Sequence, residues 1–227
     1  MIIMDALPVA LLGALLGLDV VTFPQAMISR PIVAATIGGA FIGNPLAGLT
    51  IGATLELLAL GMLPFGASKY PEWGSASVVG GVLYASQASD PAGALAAGLL
   101  AALLTALVSG WSMVKLRRLN AAHASRERAA LDAGSADAIV GLQLFGLTAD
   151  FVRGGLVTLL AMLVFTPLVS AIVANWHSNP VYTRGLVVTI AIAVAAESIW
   201  KIFHVVPRAR ILFVAGLVGG ITLIFTR

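Results

Sequence analysis

The sequence predicts an all-α, polytopic membrane protein with re-entrant hairpins or discontinuous helices in its N-terminal half. Two observations carry the fold class. Hydrophobic residues make up 59% and charged residues 10% of the 227 residues, against about 25% charged in an ordinary globular domain, and the mean hydropathy is +1.02. Apolar runs of spanning length recur along the chain, without the alternation of a β-barrel. So little charge excludes a soluble enzyme, a disordered chain and a nucleic-acid-binding domain. The net charge of +3 reads as basic loops on the cytoplasmic face. With no cysteine there is no disulfide framework, thiol nucleophile or thiolate metal site. No basic stretch precedes the first apolar run, so a cleaved signal peptide is not expected.

A spanning helix needs about 20 apolar residues. Residues 92–113, which carry no charge, and 155–176 meet this, and 185–200 and 211–226 are shorter candidates. The first ninety residues differ. Residues 6–18 stop at Asp19, 20–28 are broken by Pro24, 32–43 are too short to span, and 46–64 are interrupted by Glu56. Short apolar segments broken by Gly, Pro and polar residues point to hairpins or broken helices. Such backbone survives at membrane depth only where protein or a wet cavity surrounds it. The binding site is therefore expected in this half. Short tilted helices with ordinary loops are the alternative. Asn44-Pro45 and Asp90-Pro91 each precede Ala-Gly and an apolar run, which reads more readily as two helix starts than as a repeat.

Residues 115–137 are polar and helix-prone as far as Gly134, with Lys115, Arg117, Arg118, Arg126 and Arg128 clustered among them. The positive-inside rule makes this segment cytoplasmic. Residues 176–184 then lie outside, and Lys201, Arg208 and Arg210 return to the cytoplasm. The chain divides into an N-terminal membrane part (1–114), a basic cytoplasmic segment (115–138) and C-terminal membrane helices (139–227).

Membrane helices associate through small residues. Gly13/Gly17, Gly39/Gly43, Gly48/Gly52 and Gly216/Gly220 form GxxxG pairs, and Gly93, Ala97, Ala101, Thr105 and Ser109 form a stripe. Both patterns read as helix–helix contacts.

An ionisable residue inside a membrane segment costs about 2.5–3.5 kcal/mol on insertion scales, so each one calls for a reason. Glu56 is the sharpest case, sharing one helix face with Gly48 and Gly52. Its carboxylate could accept sugar hydroxyls, bind a cation or relay a proton, or hydrogen-bond a neighbouring helix. Asp19, Thr22, Gln25, Ser29 and Arg30 either line a polar cavity or mark the membrane boundary. Arg30-Pro31 reads as a snorkelling turn or an anion-binding point. In residues 65–74, Lys69, Glu72 and Trp73 suit the interfacial aromatic belt or sugar stacking. Asp150/Arg153 and Glu197/Lys201 have the spacing of structural helix pairs. His123, His177 and His204 fall in no metal-ligand pattern, and neither a nucleotide-binding loop nor a catalytic triad is present.

The ordered set Leu18-Asp19, Arg30-Pro31-Ile32-Val33-Ala34, Gly43-Asn44-Pro45, Gly48-Leu49-Thr50-Ile51-Gly52-Ala53-Thr54-Leu55-Glu56, Gly66-Ala67 and Pro71-Glu72 resembles the IIC subunit of mannose-family sugar phosphotransferase systems (the mannose, fructose, sorbose and N-acetylgalactosamine group). The match covers about residues 13–75. The resemblance implies a multi-pass permease of the bacterial inner or plasma membrane that forms a homo-oligomer within a hetero-complex. Its partners would be a IID membrane subunit and soluble IIB and IIA phosphocarriers, its ligand a hexose or amino sugar, and its surroundings lipid. No cofactor, metal or catalytic residue is implied, and no phosphoryl-carrying residue on this chain. The residues it carries over as substrate-binding are Glu56, Asn44, Gln25, Asp19, Arg30 and Glu72. Asn44 replaces the family's usual Asp, and Glu72 is one methylene longer than the Asp expected there. Two alternatives remain at this stage. One is a secondary transporter or facilitator coupled through Glu56 without phosphorylation, and the other a subunit that mainly holds a partner.

Overall fold

The computed structural model describes residues 3–61, 69–87, 93–204 and 208–225, and the regular structure among them is entirely helical. Residues 65–68 of the aromatic segment and Asp90-Pro91 of the proposed helix start lie outside the described residues. The helices run α1 (Ile3–Leu18), α2 (Pro31–Phe41), α3 (Pro45–Ala59), α4 (Trp73–Ala85), α5 (Ala94–Arg126), α6 (Arg128–Asp132), α7 (Ala136–Ala174), α8 (Pro180–His204) and α9 (Ala209–Phe225).

Three helices, α5, α7 and α8, are long and apolar enough to cross a membrane. With 33 residues in α5 and 39 in α7, their lengths of about 50 and 58 Å overshoot a hydrocarbon core of about 30 Å. The overshoot is the basic segment. Residues to Arg126 continue α5, α6 follows, and Gly134 in the left-handed conformation (φ +73°) turns the chain into α7. That segment is thus a helical hairpin, as its alanine content favours. Pro167 lies inside α7, where neighbouring helices can re-satisfy the freed backbone.

Local chemistry makes the N-terminal helices short. Pro31 and Pro45 each stand in the first turn of a helix, where the missing N–H is no loss. Gly43 at φ +86° ends α2, and the Asn44 N–H donates to Gly39 O at 2.8 Å. The Asn44 side chain then accepts from the Ala47 N–H at 3.2 Å and caps α3. At 11 and 15 residues, α2 and α3 are short, and they pack against each other as a helical hairpin.

Glycine sets how closely the hairpin packs. A Cβ on Gly39 would stand 2.7 Å from Gly48 Cα, and one on Gly81 of α4 would stand 2.8 Å from Ala35 Cα. Helix α2 is therefore in near-backbone contact with α3 on one side and α4 on the other. Every residue of α4 is buried, so this helix is apolar on all sides because protein surrounds it. Helices α1, α5 and α7 complete the wall around α4. On α1, Gly13 meets Thr158 of α7 and Gly17 meets Ser75 of α4. Helix α9 packs on α8 alone, and Gly216 and Gly220 have nothing within 4 Å. That GxxxG pair, unlike those on α1 and α3, makes no helix contact among the described residues.

The contacts orient the two halves. At one end Asn44 Nδ2 donates to Ala85 O at 3.5 Å, Arg184 to the Tyr84 hydroxyl at 3.4 Å, and Gly93 abuts the Trp176 ring. At the other, Tyr70 meets Arg117. The hairpin tip therefore shares the end of the 176–184 turn, opposite the basic segment.

Replacing Gly48 by Val should destabilise the protein by about 3 kcal/mol or more, because the contact on Gly39 is backbone and cannot yield. Gly216→Ala should change stability little. Unfolding of both variants in detergent checks the difference.

Candidate functional site

The six residues singled out in the sequence fall into three places. Arg30 and Glu56 meet at the base of the α2–α3 hairpin, where Arg30 Nη2 donates to Glu56 Oε1 in an ion pair. Glu56 Oε2 accepts from the Ile32 N–H at 3.3 Å. The carboxylate thus faces the start of α2, where the helix dipole favours negative charge. Helical rise puts it about 17 Å along α3 from Pro45. The pair keeps 32% and 19% of its side-chain surface exposed, so its remaining lone pairs and N–H groups can reach a ligand.

Asp19 builds the turn that delivers Arg30. Its carboxylate accepts from the Ala26 N–H at 2.5 Å, the Ser29 N–H at 2.8 Å and the Ser29 hydroxyl at 2.8 Å. Burial raises the Asp19 pKa, but the hydrogen bonds from Ser29, Ala26 and Ile28 outweigh it and hold the carboxyl below its ordinary range. Gln25 and Met27 take left-handed backbone (φ 58° and 63°), a costly conformation for residues with a Cβ. The Asp19 bonds on either side offset that cost. Gln25 itself is exposed and donates to Val21 O at 2.8 Å. Asn44 caps α3 at the far end of the hairpin, away from Glu56.

Glu72 turns inward. It is fully buried, and Oε1 caps α4 by accepting from the Ser75 N–H at 3.0 Å. Oε2 accepts from the Ser109 hydroxyl at 2.5 Å. Ser109 in turn accepts from Arg153 Nη1 at 2.8 Å, Arg153 Nε donates to Asp150 Oδ1 at 2.8 Å, and the Thr22 hydroxyl donates to Asp150 Oδ2. This buried network ties α4, α5, α7 and the turn after α1. Ser109 read in the sequence as packing, since its stripe gives no sign of a polar partner. Asp150 and Arg153 do form the helix pair that their spacing suggests, and Glu197 and Lys201 form theirs at 2.5 Å on the surface.

A family model described as the sorbose-specific IIC component of phosphotransferase systems matches residues 3–196. The chain belongs to this family. A sorbose-specific EIIC component of Lacticaseibacillus casei is 41% identical over 54 residues, covering 24% of this chain and 20% of that protein. A fructose permease IIC component of Bacillus subtilis is 27% identical over 163 residues, covering 71% and 58%. The chain thus spans from about a fifth to somewhat over half the length of these relatives. A chain in the cryo-EM structure of the mannose transporter ManYZ with microcin E492 superposes at TM-score 0.61 and 20% identity, covering 100% of this chain and 95% of that one. That likeness shows a shared fold. The IIC family membership places the accessible Arg30–Glu56 pair and the enclosed Glu72 network in a membrane protein.

Removing one member of a buried ion pair typically costs about 3–5 kcal/mol, whereas an apolar replacement of both is often tolerated. Asp150→Ala should accordingly destabilise by that amount, and Arg153→Met, which leaves the buried Asp150 and Glu72 carboxylates without a cation, should cost at least as much. Thermal unfolding of the purified protein reads both.

Proposed function

We propose that this chain is the sugar-translocating IIC subunit of a phosphoenolpyruvate-dependent phosphotransferase system in a bacterial inner or plasma membrane. It would bind a hexose or amino sugar with a IID partner, and a soluble IIB protein, itself charged through IIA, would phosphorylate the sugar during uptake. The match of the family model to residues 3–196 is the observation that carries this reading. Arg30 and Glu56 supply its chemistry. A carboxylate and a guanidinium together offer acceptors and donors to the vicinal hydroxyls of a sugar, and this pair is open where the Glu72 network is closed. Within the reading, Glu56 and Arg30 contact the sugar, Asp19 sets the turn that carries Arg30, and Asn44 and Glu72 fix the two ends of the hairpin and of α4. Gln25, exposed on the same turn, is a further contact to a ligand or to IID. The neighbours' names point to sorbose, fructose and mannose, so these sugars head the test panel.

The test is phosphoenolpyruvate-dependent phosphorylation of labelled sorbose, fructose, mannose and N-acetylgalactosamine by membranes holding this chain and its IID partner, with the soluble phosphocarriers added. One sugar should be phosphorylated, and Glu56→Gln should weaken its apparent affinity about 10- to 100-fold, the value of a hydrogen bond to a charged group. Sugar flux that persists in wild type with no phosphorylation would replace this reading with uncoupled or ion-coupled transport.

A further inference from the structure

A second cleft lies beside the 19–30 turn. It has a volume of about 390 Å³ and is walled by residues 21–23 of the turn, by α5 and by α7. That volume lies within the range of about 300–1,000 Å³ usual for small-molecule sites. Its polar lining is Thr22, Arg117, Asn120 and Gln143, with Phe23 at its edge and Gly146 opening the α7 wall. We infer that this cleft is a cytoplasm-facing subsite for the neutral sugar, separate from the Arg30–Glu56 pair and reached from it across the turn. The inference rests on the transport reading above.

Four observations carry it. First, the lining suits a polyol. Two carboxamides offer both donors and acceptors, and Thr22, whose hydroxyl hydrogen points to Asp150, keeps lone pairs to accept. Second, Asn120 Oδ1 is buried and has no hydrogen-bond partner among the described residues. A buried acceptor of this kind is costly unless something donates to it, and a turn of the carboxamide into the cleft that Asn120 lines would bring a sugar hydroxyl within reach as that donor. Third, Phe23 is 65% exposed and presents an aromatic face to the C–H side of a sugar ring. Fourth, most of the polar lining is neutral, as suits an uncharged polyol: among the described residues Arg117 is the one ionic group, and it is engaged by the Tyr70 hydroxyl and ring.

Position completes the argument. The cleft lies at the Arg117 level of α5, next to the basic helical hairpin, so it opens on the side from which a soluble phosphocarrier would approach. Residues 21–23 and Arg30 are two ends of one turn held by Asp19.

The chain has no cysteine, which makes single-cysteine labelling on this chain unambiguous. Val21→Cys and Leu142→Cys place a thiol on the turn wall and on the α7 wall without removing a proposed sugar contact, and Ser125→Cys on the exposed end of α5 is the control. Inside-out vesicles holding the complex with IID would be labelled with a membrane-impermeant maleimide, and this chain's band read on a gel. The probes are sorbose, fructose, mannose and N-acetylgalactosamine, each compared with its phosphate ester. At a sugar concentration ten times the dissociation constant, labelling at positions 21 and 142 should slow about tenfold. Position 125 should be unaffected, and the phosphate ester should protect less than the sugar. Unchanged labelling at both wall positions in every sugar would overturn the subsite, as would protection by the ester alone. The phosphorylation assay in wild type decides the transport reading separately, so a negative labelling result with active phosphorylation removes only the subsite.

Discussion

Near-backbone contact on both sides of α2 is the constraint on which the rest of the N-terminal half depends. Helices α2, α3 and α4 are each too short to span, so their ends need partners inside the protein. Stacking α2 between α3 and α4 through Gly39, Gly48 and Gly81 supplies a layered scaffold in which those ends become binding positions. The start of α2 accommodates the Glu56 carboxylate, and the start of α4 is capped by Glu72. A spanning helix would put its N-terminus in the headgroup region, where water satisfies the N–H groups. Here the same groups are used to hold carboxylates in place.

The two carboxylate centres do different work because their surroundings differ. Around Glu72, Asp150 and Arg153 the side chains are 9% exposed or less, and almost every polar atom is matched within the protein. Such a network locks four segments in register, and it is strongly destabilised by loss of one member. The Arg30–Glu56 pair has one backbone donor and one ionic partner and is otherwise open. Its contribution to stability is that of a partly solvated pair, about 1 kcal/mol or less, so its free valence is available to a ligand. Accessibility, rather than charge, distinguishes the Glu56 carboxylate from the enclosed Glu72 and Asp150 carboxylates.

Much of this was legible in the sequence. Pro31, Pro45 and Asn44 mark helix starts by chemistry that does not depend on context, and Glu56 within an apolar run is conspicuous in any membrane segment. The GxxxG pairs on α1 and α3 marked true close contacts, whereas Gly43 serves a turn and Gly216 and Gly220 meet nothing among the described residues. Those outcomes depend on which helix lies opposite, and sequence spacing carries no such information. The same holds for Ser109, whose position on a small-residue stripe conceals that Arg153 and Glu72 converge on it from two other helices. The six candidate residues were not one cluster for a similar reason. The helical rise from Asn44 to Glu56 separates them by about 18 Å, and Glu72 faces inward because it caps a helix that is buried on every side.

The 19–30 turn ties the Arg30–Glu56 pair to the wall of the cleft between α5 and α7. Its left-handed residues Gln25 and Met27 cost conformational energy that an unconstrained loop would release, and Asp19 prevents that release by binding both the Ala26 and Ser29 amides. Thr22 anchors the other end of the turn to Asp150, and hence to the Glu72 network. Arg30 cannot shift relative to the cleft walls at Val21–Phe23 unless one of these anchors gives. The turn is held at both ends by carboxylates, Asp19 at Ala26 and Ser29 and Asp150 at Thr22, so the placement of Arg30 and that of the cleft wall depend on the same set of bonds.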